Sequence, residues 1–176
     1  MLKRSLILVA AAAAPALAQA GANPVASAAR LNWEGNRDYI TQSAADVPEN
    51  LYSFRPTPDV RTFGEIIGHV AGAQSMFCAI VLGEKVPEED AVEKTAKTKA
   101  ALVDALKKSN DYCARAYAIT DQAAVTTVNM FGQQRSKLYA LMMNASHNAE
   151  HYGNLVTYMR INKIVPPSSR PSGSRH

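Results

Sequence analysis

Three of the four histidines in this 176-residue chain fall where they could bind one metal ion together. His147 and His151 are four residues apart, so on a helix their rings share one face, about 6 Å apart along the axis. Two neutral imidazoles at that spacing grip a divalent cation, and a third ligand must come from elsewhere in the chain. His69 is the histidine that can supply it, because His176 is the last residue of a Pro/Ser/Arg-rich tail. The helical neighbours of His69 (Ile66, Ala73, Met76 and Ile80) put it on an inward face. A lone H-x-x-x-H is more often a solvated helix face, with any distant histidine a core residue. Here the stripe that holds the pair also carries Met143, Asn144, Asn154 and Tyr158, a polar-studded surface that suits a pocket wall better than an apolar seam. With Trp33, the residues Asn144, Asn154 and Tyr158 are the candidate lining.

Three imidazoles leave a coordination position open, the arrangement of a catalytic zinc rather than a structural one. Such an ion lowers the pKa of a bound water or binds a substrate thiolate. That chemistry suits a metal-dependent hydrolase or transferase acting on a small molecule. The rival is a non-catalytic bundle whose ion is structural, stored or sensed. Imidazole ligands suit zinc, nickel, copper and iron alike, so the ligand set does not choose the metal. Residues 147–151 also spell H-x-x-E-H, the inverted zinc-protease motif. That motif needs a further acidic ligand downstream, and no Asp or Glu follows Glu150. Glu150 is therefore either a solvated carboxylate or a base or acceptor near the pair. Glu65, one turn before His69, has the same ambiguity.

Helices must position these residues. Residues 25–47 place Trp33, Ile40, Ala44 and Val47 on one side of a helix that Pro48 ends. Pro56 and Pro58 make residues 51–60 an extended linker. Thr62 and Glu65 form a T-x-x-E capping box, which starts a helix that runs to Leu82 and stops at Gly83. Its apolar residues cover well over half its circumference, so it should be the most buried element. A third, amphipathic helix is expected over residues 91–119, with Leu102, Leu106, Ser109, Cys113 and Ala116 inside. Residues 125–134 are β-prone, with a turn at Gly132, and read as an irregular or hairpin-like connection. A last helix over residues 136–162 is stopped by Pro166 and Pro167, and residues 166–176 read as a disordered tail. Four long helices with short connections make an all-α, antiparallel four-helix bundle over residues 21–165.

The hydrophobic fraction of 47% and the length fit one well-buried domain. Lys3 and Arg4, the apolar run over residues 6–14 and Pro15 have the order of a secretory signal peptide. Two A-x-A sites fit, and the second, ending at Ala20, is preferred. The apolar run is shorter than the roughly 20 residues a bilayer span needs, so no membrane association is expected after cleavage. Loss of Lys3 and Arg4 takes the formal charge from +4 to +2. With no block of five or six basic residues, nucleic acid is not an expected partner. The mature protein is expected to be exported, periplasmic or secreted. In that compartment Cys78 and Cys113 are either a disulfide or two small buried thiols.

The order of helices, with one histidine on the second and H-x-x-x-H on the last, resembles the DinB/YfiT-like metalloenzymes. The stretch from Thr62 to His69 and the string HNAEHYGNLVTYMRINKIVPP over residues 147–167 resemble an exported bacterial branch of that family. The resemblance spans most of residues 24–167. It implies an up-down-down-up bundle, a three-histidine site at His69, His147 and His151 for zinc, nickel or a similar ion, and homodimers. It also implies that some members are thiol-dependent transferases or isomerases that use small thiol cofactors. The family name comes from damage-inducible expression and does not imply a DNA polymerase. The export signal departs from the cytosolic members and sets this chain apart from any thiol confined to the cytoplasm.

Overall fold

The computed structural model describes residues 22–171, so the expected signal peptide at residues 1–20 lies outside the described residues. Four long helices form the body: α1 (Pro24–Asp46), α2 (Phe63–Leu82), α4 (Lys99–Ala116) and α6 (Lys137–Ile161). Two short helices, α3 (Ala91–Thr95) and α5 (Asp121–Ala124), sit in the connections. A hairpin of β1 (Thr127–Met130) and β2 (Gln133–Ser136) precedes α6.

Local chemistry sets the helix ends. Thr62 accepts from the backbone N–H of Glu65, and the Glu65 carboxylate accepts from the N–H of Thr62 at 2.6 Å, which completes the expected capping box. Gly83, at φ 71°, ends α2 in the left-handed conformation that glycine adopts at least cost. Thr98, Thr120 and Ser136 cap α4, α5 and α6 through their hydroxyls. By length and composition α2 could cross a membrane, but almost every residue of it is buried inside the bundle.

Two apolar clusters fix the chain directions. One joins Ala29 and Trp33 of α1 with the C-terminal half of α2, Cys113 and Ala116 of α4, and Ala140, Leu141 and Ala145 of α6. The other joins Ile40 and Ala44 of α1 with the N-terminal half of α2, Leu102 and Leu106 of α4, and Leu155 and Met159 of α6. Helices α1 and α6 therefore run one way and α2 and α4 the other, which is the up-down-down-up order. Each of α2 and α1 packs against both α4 and α6. Because α2 and α4 are parallel neighbours, residues 83–98 must return along the whole bundle. The return lies directly on α2: a Cβ at position 68 would stand 2.8 Å from the Glu93 Cα, and one at position 72 would overlap the Glu89 carbonyl oxygen. Glycine at both positions lets backbone rest against helix. Cys78 and Cys113 form a disulfide across α2 and α4, with Cα atoms 5.4 Å apart. On the chain-entropy model that closure stabilises the fold by about 3–4 kcal/mol.

Between the two apolar clusters lies a buried polar centre built on Gln74. Its Oε1 accepts from Trp33 Nε1 at 2.7 Å and from Asn148 Nδ2 at 2.9 Å. Its Nε2 donates to Ser109 Oγ at 3.0 Å and Asn110 Oδ1 at 2.7 Å. One amide thus ties α2 to the other three long helices. Trp33 stacks on Tyr117, whose hydroxyl donates to the Leu141 carbonyl and accepts from Asn144.

The long third helix expected over residues 91–119 is in fact broken. Residue 96 is extended, a new helix starts at the Thr98 cap, and α4 ends at Ala116, because the return across α2 and the axis of α4 are different directions. Residues 166–171, read from composition as the start of a disordered tail, are held in place. Pro166 and Pro167 are buried, Tyr152 donates to Ser168 at 2.8 Å, and Arg170 pairs with Asp46. The remaining tail residues lie outside the described residues. The hairpin alternative for the β-prone stretch is the one realised, with Val128 opposite Arg135 and a turn at Phe131 and Gly132. Replacing Gln74 with Leu should lower stability by about 2–4 kcal/mol, since it strands buried donors and acceptors on three helices; urea unfolding followed by circular dichroism measures this.

Candidate metal centre

The inward face of α2 that begins at the capping box carries His69 toward α6, two turns into the helix. On α6, His147 and His151 are one turn apart and face back. All three rings meet. Nε2 of His69 lies 3.0 Å from Nε2 of His147, which lies 3.1 Å from Nε2 of His151. The three candidate ligand atoms fall within 4.8 Å of one another. His69 and His151 are buried, and His147 is half-buried.

Nitrogen atoms bound to one tetrahedral zinc at 2.0–2.1 Å are about 3.3–3.4 Å apart. The two spacings through His147 come within a few tenths of an ångström of that, and the third pair is held within 4.8 Å, so the cluster could hold a divalent ion. The donors are also in the right protonation state. Burial is the first cause that holds His69 down to about 4 and His151 down to about 3, and nearby positive or protonatable groups (Arg61 and the other rings) add to it. Burial also lowers His147, against the opposing pull of Glu89 and Glu150. At neutral pH all three rings are therefore uncharged, which metal ligation requires.

Carboxylates flank the rings on one side. Glu89 Oε1 lies 3.7 Å from His69 Nε2, and Glu93 Oε2 lies 3.7 Å from His69 Nδ1. Both acids come from the return segment that rests on the glycines of α2. Sequence reasoning looked for the acid elsewhere. Glu150 is exposed, and Glu65 is engaged in the cap and with Arg55. The acidic run over residues 88–90 was visible, but nothing in its spacing from His69 showed that a crossover would lay it on α2.

Of the candidate lining residues, the structure brings only Asn154 to the centre, its amide 3.4 Å from His151 Nδ1. Trp33 and Asn144 belong to the polar core instead, and the Tyr158 hydroxyl donates to the Arg61 carbonyl. Periodicity gave the inward stripe of α6 but not which of its residues close on the rings and which on the polar core. An aromatic wall was missed. The Phe77 ring lies 6.0 Å from that of His147, and Phe131 at the hairpin tip stands 6.2 Å from Phe77. Phe131 is largely exposed and has φ 53°, a conformation unusual for a bulky residue.

The comparisons with known proteins agree with this architecture. A family model described as the DinB superfamily matches residues 32–155. The chain belongs to the DinB superfamily. Its fold is similar to that of a DinB-like protein from Bacillus cereus ATCC 10987, with a TM-score of 0.69, 19% identity, and coverage of 79% of this chain and 93% of that one. It is also similar to the DinB-like protein YjoA from Bacillus subtilis, with a TM-score of 0.55, 16% identity, and coverage of 85% and 100%. No curated protein matches this DinB-superfamily chain in sequence. At these identities the structural neighbours establish the fold, and the site rests on this chain's own residues.

The depressed imidazoles make the metal-free DinB-superfamily protein acid-sensitive. Below about pH 6.5 the unfolded chain takes up protons on these residues, while the folded chain resists until about pH 4 for His69 and about 3 for His151. Stability should therefore be full above pH 6.5 and decline as pH falls from 6.5 toward 4. Urea midpoints of metal-free protein across that range should fall, and His151→Asn should flatten the decline.

Proposed function

We propose that this DinB-superfamily protein is an exported, metal-dependent hydrolase or thiol-type transferase that acts on a small molecule. The observation that carries the reading is the convergence of three uncharged Nε2 atoms from two helices. His69, His147 and His151 would hold one divalent ion, with zinc or nickel preferred. A bound ion supplies Lewis acidity, either to activate water or to bind a thiolate. The chain itself supplies the rest. The walls of α2 and α6 exclude water behind the rings, and Phe77 and Phe131 give the approach an apolar side. Glu89, whose side chain is 44% exposed, offers a proton acceptor on the Nε2 side of His69.

A catalytic centre is favoured over a structural staple because three side-chain donors converge among the described residues, whereas structural zinc sites use four. Export is supported by residues 1–20 and by the Cys78–Cys113 disulfide, a bond that persists in oxidising compartments. Homodimer formation, implied by the family resemblance, belongs to the same proposal, and sedimentation analysis would measure it.

Elemental analysis of the purified mature protein should find about one zinc or nickel ion per chain. His147→Ala should lose most of that metal with the helical content intact and a melting temperature within a few degrees of the metal-free wild type. Loss of metal accompanied by collapse of the fold would instead identify a staple.

A further inference from the structure

Two buried polar atoms at the centre face one another without a hydrogen bond. His69 Nδ1 and Glu93 Oε2 are 3.7 Å apart, and neither has a hydrogen-bond partner among the described residues. His69 is only 7% exposed, and a buried donor or acceptor left unsatisfied is destabilising. The other carboxylate oxygen, Glu93 Oε1, accepts from Arg61 Nε at 3.0 Å. Arg61 therefore holds the carboxylate from behind and leaves Oε2 aimed at the ring. Backbone packing fixes the placement as well, because Gly68 lets the Glu93 Cα rest against α2 one residue before His69.

We propose that Glu93 is the positioning residue of His69, accepting its Nδ1–H. This inference rests on the metal-binding reading above. A neutral imidazole carries one N–H, so a proton kept on Nδ1 leaves the Nε2 lone pair free for the ion. All three rings need that tautomer if their converging Nε2 atoms are to act as ligands. His69 has the Glu93 carboxylate beside Nδ1, an acceptor that holds the proton there. A carboxylate at Nδ1 also raises the basicity of Nε2, which strengthens its bond to a metal. Glu89 cannot do this, since it approaches the same ring from its Nε2 side.

The test is zinc affinity, measured by chelator competition, together with proton and nitrogen NMR of protein carrying 15N-labelled histidine. In the zinc-loaded wild type, His69 should show a downfield Nδ1–H proton. Glu93→Ala should abolish that signal and weaken zinc binding about 10–100-fold. Glu93→Gln keeps the packing and an acceptor oxygen without the charge, so it should weaken binding less, and it decides the matter if the alanine variant does not fold. Zinc affinity within about twofold of wild type in both variants, with the Nδ1–H signal retained, overturns the role of Glu93 and leaves the metal centre standing. A wild type that takes up no zinc overturns the metal reading and the Glu93 role with it.

Discussion

Three imidazoles, two buried and one half-buried, with their ring nitrogens turned toward one another are the constraint that the rest of the molecule must satisfy. Burial costs the rings hydration, which keeps His69 and His151 neutral down to acidic pH and lowers His147 in the same direction. The Nε2 atoms have one another as neighbours at 3.0 and 3.1 Å. Such an arrangement persists only where surrounding structure over-determines it. Helices α2 and α6 have to be rigid and in fixed register there, and most of the fold can be read as the means to that end.

The polar centre at Gln74 provides the register. Its amide is five residues beyond His69 on α2, and Asn148, directly after His147 on α6, donates to it. Helix α2 therefore cannot slide against α6 without breaking hydrogen bonds to Trp33, Ser109, Asn110 and Asn148 together. Non-polar packing alone tolerates such slippage more readily. The apolar clusters on either side supply most of the burial, while the amide supplies specificity between them. The cap at Thr62 fixes where α2 begins and hence which residue arrives opposite the α6 pair.

Much of this was legible in the sequence. The four long helices, the capping box, the stop at Gly83 and the inward face of His69 follow from hydrophobic spacing and local hydrogen-bond chemistry, which act over a few residues. The meeting of His69 with His147 and His151 followed from their helical faces and their scarcity. What escaped was set by long-range geometry. Residues 83–98 are polar enough to read as a connection leading into an ordinary amphipathic helix, and their path along α2 depends on glycines in another element. The approach of Glu89 and Glu93 to the site was thus not legible, while Glu150, adjacent in sequence to His151, is exposed. Trp33, Asn144 and Tyr158 were misplaced for a related reason, because periodicity marks them as inward but does not tell which partners on the other helices they meet.

The disulfide has a topological effect beyond tying two helices together. Cys78 and Cys113 bracket the whole return segment, so α3, Glu89 and Glu93 belong to a closed covalent ring, while the three histidines lie outside it. A protease that nicked the segment between residues 83 and 98 would open the ring without dividing the molecule, and the two pieces would part on a gel only after a reductant was added.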